Sequence, residues 1–246
     1  MSRALRAPLA RLPRRGLGMA FTPALARLPR SGLGRRGMAY SPASAAFPRR
    51  TAQELYDEIR ALTATGGDYT VHNYVAVIED MRPEVVLVET PLFPRGALEF
   101  YTAKNMGWEC TQAQWDEWFL LERGGDQGDY REGMPAKIAN VVACLAAHPH
   151  SKRAIVPIPF NGEGSENVDW RDAGQTKCCR ELHLYIESGR LCCTGFLRVQ
   201  NATIFPKNVH FFATLLDDVA KKLGVPLGPY THFISSVCHD RSATQC

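Results

Sequence analysis

The distribution of apolar and polar positions predicts interleaved helices and strands from about residue 51 onward. Thr51-Ala-Gln-Glu has the pattern of a capping box and predicts a helix from Thr51 to about Leu62. Apolar residues at helical spacing predict further helices over residues 98–106, 111–122, 135–147 and 209–223. Segments rich in β-branched residues predict strands over residues 71–79, 84–89, 154–159, 181–187, 190–198 and 232–237.

A two-residue turn signal, Ser188-Gly189, separates two of these predicted strands. Such a loop predicts a hairpin and also sets the register in which its strands pair. That register places Arg198 opposite Cys179 and beside Cys178, so we expect a cysteine and an arginine to be neighbours.

The charge of the chain divides sharply at about residue 50. Residues 1–50 contain eleven arginines, no lysine and no acidic residue, so this segment carries +11. Of the 29 basic residues in the chain, 18 therefore lie in residues 51–246 against 25 acidic ones, a balance of −7. We expect a basic N-terminal arm over residues 1–50 and one folded domain over residues 51–246.

The arm has the composition of a mitochondrial targeting segment, since it is rich in Arg, Ala and Ser and free of acids. It also contains a repeat, because Leu-Ala-Arg-Leu-Pro-Arg begins at Leu9 and again at Leu25. The alternatives are a permanently disordered basic tail, or an extended arm that lies on an anionic lipid or rRNA surface. We expect the protein in the mitochondrial matrix or on the matrix face of the inner membrane.

The eight cysteines and seven histidines predict no metal centre. Cys178-Cys179 and Cys192-Cys193 are adjacent pairs, whereas structural zinc sites use pairs separated by two or more residues. We expect most cysteines to be reduced, half-buried strand residues.

A series of residues between Cys178 and His232 resembles the thymidylate synthase and dCMP hydroxymethylase family in order and spacing. Cys178 falls at the family's nucleophile and Arg198 at its phosphate-binding arginine. The other matching positions are Gly189, Leu191, Pro206, Asn208, Gly224, Gly228, Tyr230 and His232. Upstream, Ser151-Lys152-Arg153 is similar to a family segment that supplies phosphate-binding arginines across a dimer interface. The resemblance is clearest over residues 130–240, and it implies an α+β fold with a mixed sheet flanked by helices.

The departures from the family pattern fall on the residues that hold the nucleotide. Cys179, Leu197, Asn201, Cys238 and Asp240 stand where the family has a histidine, a glutamine, an aspartate, a histidine and a tyrosine. The family's closing tail, which covers the folate, also has no counterpart before Cys246. The resemblance therefore implies a degenerate relative without catalytic residues, cofactors or a small-molecule substrate.

Each of the remaining candidate site residues has a structural interpretation beside the functional one. Cys178 is a vestigial nucleophile or simply a buried strand residue. Arg198 either binds an anion or pairs with an acid such as Asp217 or Asp218. Asn208 is expected to cap the helix that follows it rather than read a base. Lys152 and Arg153 are expected to lie in a solvated loop.

These observations lead to two hypotheses about function. The first is a non-catalytic accessory subunit of a large mitochondrial complex, with ATP synthase or the respiratory chain favoured over the mitoribosome because an acidic body suits rRNA poorly. Its partners would be other protein subunits, with a homodimer as a further option. The alternative is a divergent pyrimidine nucleotide methyl- or hydroxymethyltransferase that uses Cys178.

Overall fold

The computed structural model describes residues 49–64, 71–119, 129–158 and 177–238. The predicted arm, apart from Arg49 and Arg50, lies outside these residues. The elements in chain order are β1 (Arg49–Arg50), α1 (Ala52–Thr63), β2 (Val71–Ile78), α2 (Arg95–Met106), α3 (Gln112–Trp118), α4 (Met134–Ala147), β3 (Ile155–Pro157), β4 (Cys179–Glu187), β5 (Arg190–Leu197), α5 (Phe205–Leu223) and β6 (Leu227–Val237).

The strands form one mixed sheet in the order β1-β2-β6-β5-β4-β3. β4 and β5 form the predicted antiparallel hairpin, and β3 adds to β4 at the edge. β6 lies between the hairpin and β2, parallel to β5 and antiparallel to β2. The mixed sheet flanked by helices that the sequence predicts is therefore confirmed.

Side chains alternate between two faces of this sheet, as strand geometry requires. The inner face is lined by residues of the main hydrophobic core, namely Ala76, Ile78, Leu182, Leu184, Leu191, Cys193, Leu197, Tyr230 and Ile234. The buried polar residue His232 lies on the same face. The outer face is formed by Val75, Val77, Glu181, His183, Tyr185, Cys192, Thr194, Phe196, Thr231 and Phe233.

Helix α5 packs on the inner face and is the centre of the core. Phe205 meets the edge of the His232 ring at a centroid distance of 5.7 Å, and Phe212 packs on Tyr230 at 5.8 Å. On its other side α5 contacts α2, where the Thr102 hydroxyl lies 2.7 Å from His210 Nδ1. The helix is apolar on more than one side because it is covered by the sheet and by other helices.

Local sequence signals set several element ends as predicted, whereas α2, α5 and β6 begin three to five residues earlier than predicted. Thr51 caps α1, and the Thr51 side chain and Glu54 bond reciprocally to each other's backbone N–H groups. Ser188 and Gly189 have φ values of 51° and 76°, the positive pair that a tight hairpin turn needs. Gly224 ends α5 in the left-handed conformation.

One predicted strand is absent, and one predicted helix is shorter than expected. Residues 84–89 form no strand, because the backbone N–H groups of Val85 and Val86 bond back to the Arg82 carbonyl in a local turn. The helix predicted over residues 111–122 ends at Trp118, since Phe119 leaves the helical region with a ψ of 59°. Residues 120–122 lie outside the described part of the chain. Of the helices the structure describes, none combines the length and the apolar composition needed to cross a bilayer.

Candidate functional site

The end of the β4–β5 hairpin brings Cys178 and Arg198 together, as the sequence predicts. The Arg198 N–H donates to the Cys178 carbonyl at 2.9 Å. The predicted register is nevertheless wrong by one residue at this end, because a β-bulge lies between Cys179 and Glu181 and Cys179 faces Leu197 instead of Arg198. A bulge places two residues of one strand against one residue of the other. The pairs between the turn and the bulge therefore keep the predicted register, and the pair beyond the bulge is shifted by one residue.

Cationic side chains gather around the carbonyl of Lys177. Arg198 Nε donates to this oxygen at 3.2 Å, and Arg180 Nη2 donates to it as well. Burial, followed by the charge of Arg198, lowers the pKa of the Arg180 guanidinium. Lys177 Nζ lies 3.7 Å from a Glu132 carboxylate oxygen. This arrangement has the charge and the donors to hold an anion.

The thiols beside these cations are enclosed by protein. Cys178 is only 6% exposed and Cys179 is fully buried. The Cys179 N–H donates to the Tyr130 hydroxyl oxygen at 3.3 Å, and this tyrosine is itself buried in the core. Burial raises the pKa of the Cys179 thiol far above its ordinary value, so Cys179 stays protonated at neutral pH.

Asn208 lies inside α5 rather than at its N-terminus, so the predicted helix cap is wrong. The helix begins at Phe205, and the residue that serves its start is Asn201, whose Oδ1 accepts the Ile204 N–H at 3.0 Å. The Asn208 amide is 1% exposed and donates to Gln200 Oε1 at 3.1 Å. Through this hydrogen bond Asn208 holds the side chain of Gln200, which lies two residues after Arg198.

His232 is fully buried on the inner face of the sheet. Its Nδ1 lies 2.8 Å from the Tyr230 hydroxyl, and burial lowers the pKa of the imidazole to about 3. Among the described residues its Nε2 has no hydrogen-bond partner. A neutral, buried imidazole of this kind packs as a core residue.

Lys152 and Arg153 do not join the Cys178 region within one chain. Both are exposed in the loop after α4, where the Ser151 hydroxyl oxygen accepts the Arg153 N–H at 3.1 Å. The loop leads into β3, where the Ala154 carbonyl accepts the N–H of Leu184 on β4. Leu184 is six residues from Cys178, which is about 20 Å at the rise of an extended strand. The prediction of a solvated loop is confirmed for these two residues.

Asp217 and Asp218 are ion-paired within α5. Asp217 bonds to Lys221 at 2.5 Å and Asp218 to Lys222 at 2.6 Å, each one helical turn away. Neither pair involves Arg198, which lies against the Lys177 carbonyl.

Several of the residues that depart from the family pattern have structural roles. Leu197 belongs to the core, and Asn201 serves the start of α5. Cys238 continues the sheet, because its N–H donates to the Gln200 carbonyl at 3.0 Å. Asp240 lies outside the described residues.

Sequence reasoning missed three residues that shape this region: Tyr130, Arg180 and Gln200. Tyr130 and Gln200 act through partners 49 and eight residues away, and no local pattern marks such contacts. Arg180 lies in the β-bulge between Cys179 and Glu181, and no glycine in the sequence marks this bulge.

A comparison with models of known protein families found no match. Within the described ranges, no group of three or more His, Cys, Asp or Glu side chains is arranged to hold a metal ion.

Proposed function

We propose that this chain is a non-catalytic accessory subunit of a large mitochondrial complex, built on a thymidylate-synthase-like fold. The observation that carries the proposal is the enclosure of the Cys178–Cys179 segment. A nucleophilic cysteine needs a thiolate that a substrate can reach. Here Cys178 is 6% exposed, and its neighbour Cys179 is buried as a protonated thiol against Tyr130.

The polar groups around this segment support the same conclusion. The Asn208 amide, which by resemblance would read a base, is bonded to Gln200 instead. His232 is bonded to Tyr230 beneath α5. These side chains stabilise the core, and their present hydrogen bonds would have to break before they could bind a nucleotide.

The mitochondrial assignment rests on sequence composition. Residues 1–50 carry +11 with no acidic residue, whereas the rest of the chain carries −7. A cleaved targeting segment, or an arm lying on an anionic surface, would each account for this division. ATP synthase and the respiratory chain remain the favoured complexes, because an acidic body is a poor surface for rRNA.

Native gel electrophoresis of detergent-solubilised mitochondria from the source cells tests this proposal. An antibody to the chain is expected to detect it in a band of several hundred kilodaltons or more together with other subunits. A soluble subunit of a known mitochondrial matrix enzyme on the same gel is the control for non-specific co-migration. Detection only at the size of a monomer or dimer would refute the proposal.

The alternative, a pyrimidine nucleotide methyl- or hydroxymethyltransferase, is favoured by one observation. Arg180 and Arg198 both lie against the Lys177 carbonyl, next to Cys178, and cations of this kind stabilise a thiolate or a phosphate. A thermal-shift screen with dUMP, dCMP and folates separates the two functions. A ligand at 100 times its Kd stabilises a protein by about 2.7 kcal/mol, a readily measured shift.

The accessory role predicts no shift with any of these compounds. A shift with dUMP that the Arg198→Leu variant loses, and that a surface variant such as Lys221→Leu keeps, would establish the alternative instead. Lys221 is a suitable control because its side chain is 75% exposed and it lies in the last turn of α5, outside the candidate site.

A further inference from the structure

We infer that an aromatic surface on α3 binds a basic, partly apolar segment of another protein. The aromatic surface consists of Trp108, which lies between α2 and α3, Trp115 within α3, and Phe119 just after it. No residue of α3 is buried, although this helix contains two tryptophans. Trp108 is 49% exposed and Phe119 is 39% exposed, so both rings offer apolar area to a partner.

Short contacts join the aromatic surface to the last turn of α2. The rings of Trp115 and Phe119 lie 5.0 Å apart, measured between centroids. Lys104 Nζ lies 5.1 Å from the Phe119 centroid, and this lysine is itself buried. The Trp108 N–H donates to the Ala103 carbonyl at 2.9 Å. Trp108 and Phe119 therefore adjoin the same helical turn, and a single segment of a partner can reach both.

Contacts with α2 hold α3 in place. Trp115 meets Phe100 edge-to-face at a centroid distance of 5.1 Å. The Trp118 ring packs beside Gly96, where an added Cβ would lie 2.8 Å from the indole. A partner therefore meets aromatic side chains that are already positioned, which lowers the entropic cost of binding.

Acidic side chains around the aromatic surface set the charge of its partner. Within the described residues no ion pair involves the four exposed acids of α2, α3 and the segment between them, which are Glu99, Glu109, Asp116 and Glu117. Asp116 accepts a hydrogen bond from Gln112 Nε2 at 2.8 Å, which leaves its charge uncompensated. Arg131 stacks on Trp115 at 5.9 Å but is paired with Asp129 at 2.9 Å. The region is therefore net negative.

This combination of exposed rings and unpaired acids selects the class of partner. Apolar side chains of a partner cover the rings, and its lysine or arginine side chains pair with the acids. Tryptophan is also among the residues that contribute most to the binding energy of protein interfaces. Nucleic acid and anionic lipid are disfavoured, because like charges would meet. The occupant that fits the aromatic surface is thus a basic segment of a protein.

The inference deepens the proposed accessory role and rests on it, because the natural occupant would be a neighbouring subunit. Its test uses the purified full-length chain and does not need the complex. Native gels of mitochondria report on the complex and do not depend on this surface. Failure of either result is therefore recognisable without the other.

Fluorescence anisotropy with two labelled model peptides tests the inference. Both peptides have about 14 residues with leucine at helical spacing, and the remaining positions are lysine in one and glutamate in the other. The lysine peptide is expected to bind with a Kd below about 100 µM and at least tenfold more tightly than the glutamate peptide. Trp108→Ser is expected to raise this Kd at least tenfold. Val85→Ser is its control, because Val85 is 42% exposed but lies in the turn at Arg82.

A second pair of variants tests the charge of the surface, and circular dichroism establishes that each variant is folded. Asp116→Asn is expected to weaken binding of the lysine peptide about threefold, the size of one exposed ion pair. Asp57→Asn on α1 is the matched control, because Asp57 is also exposed and accepts a hydrogen bond from Gln53, one turn earlier, at 3.1 Å. Three results would each overturn the inference: no binding of the lysine peptide at about 100 µM, equal affinity for the two peptides, or equal effects of the surface variants and their controls.

Discussion

The two buried histidines of the core predict that folding stability falls steeply between pH 7 and pH 5. Burial lowers the pKa of His232 to about 3, and burial, partly opposed by a hydrogen bond to Leu98, lowers that of His210 to about 4. A histidine in the unfolded chain has a pKa near 6.5. Below that value the unfolded chain binds protons that the folded protein does not, so acid favours unfolding.

The size of this effect follows from the two pKa differences. Well above pH 6.5 both histidines are neutral in the folded and the unfolded chain, so they do not reduce the free energy of unfolding. That free energy falls as the pH drops below 6.5, down to about pH 4 for His210 and about pH 3 for His232. Between pH 7 and pH 5 each histidine accounts for a loss of about 2 kcal/mol. The sum of about 4 kcal/mol is a large part of the 5–15 kcal/mol by which domains are usually stable.

Urea denaturation at pH 7.0, 6.0 and 5.0 measures this loss directly. The His232→Gln variant has no imidazole to protonate, and its amide oxygen can still accept the Tyr230 hydroxyl. Its stability is expected to fall by about half as much as that of the wild type over the same range. His148→Gln makes the same substitution at an exposed position after α4 and is the matched control.

Two results would refute this reasoning. One is a wild-type loss of less than about 1 kcal/mol between pH 7 and pH 5. The other is an unchanged pH dependence in His232→Gln, which would mean that His232 is hydrated in the folded state or that another group dominates the titration.

Three further substitutions each test one contact in the structure. Asn208→Leu should cost about 1–3 kcal/mol in urea denaturation because it leaves the buried Gln200 Oε1 without its donor, and the Gln200→Leu double variant should recover part of that loss. Gly228→Ala should cost about 1–3 kcal/mol, since its Cβ would lie 2.5 Å from Cys192 Sγ, and an unchanged melting temperature would contradict the close packing. Thr51→Ala should cost about 1 kcal/mol by removing the α1 cap, whereas Thr51→Ser should be nearly neutral.

Local chemistry explains why parts of this fold are predictable from the sequence. The Ser188-Gly189 turn fixes the hairpin, and Thr51 with Glu54 fixes the start of α1, because each signal acts within a few residues. The start of α5 also had such a signal. Pro206 fits the first turn of a helix, where it needs no hydrogen-bond donor, and this would have placed Asn208 inside the helix.

The errors arise where distant contacts or backbone irregularities decide the outcome. Val86 and Val88 are buried as in a strand, yet their segment is held by a local turn at Arg82 instead of a partner strand. The bulge beside Arg180 shifts Arg198 by one position, a change that strand alternation cannot reveal. The neighbourhood of Cys178 and Arg198 was predictable from the hairpin, whereas the enclosure of Cys179 by Tyr130 depends on a contact 49 residues away.

The position of β6 in the sheet has a consequence for how the chain is made. β6 is the only long strand that pairs with β2 among the described residues, and the pair Ile78 and Tyr230 is separated by about 150 positions. At ordinary synthesis rates of 5–20 residues per second, β2 therefore waits roughly 8–30 s for its partner. During that time its backbone donors and acceptors and its valine side chains remain open to other chains. The sheet therefore cannot be completed around β2 until β6, near the end of the described residues, has been synthesised.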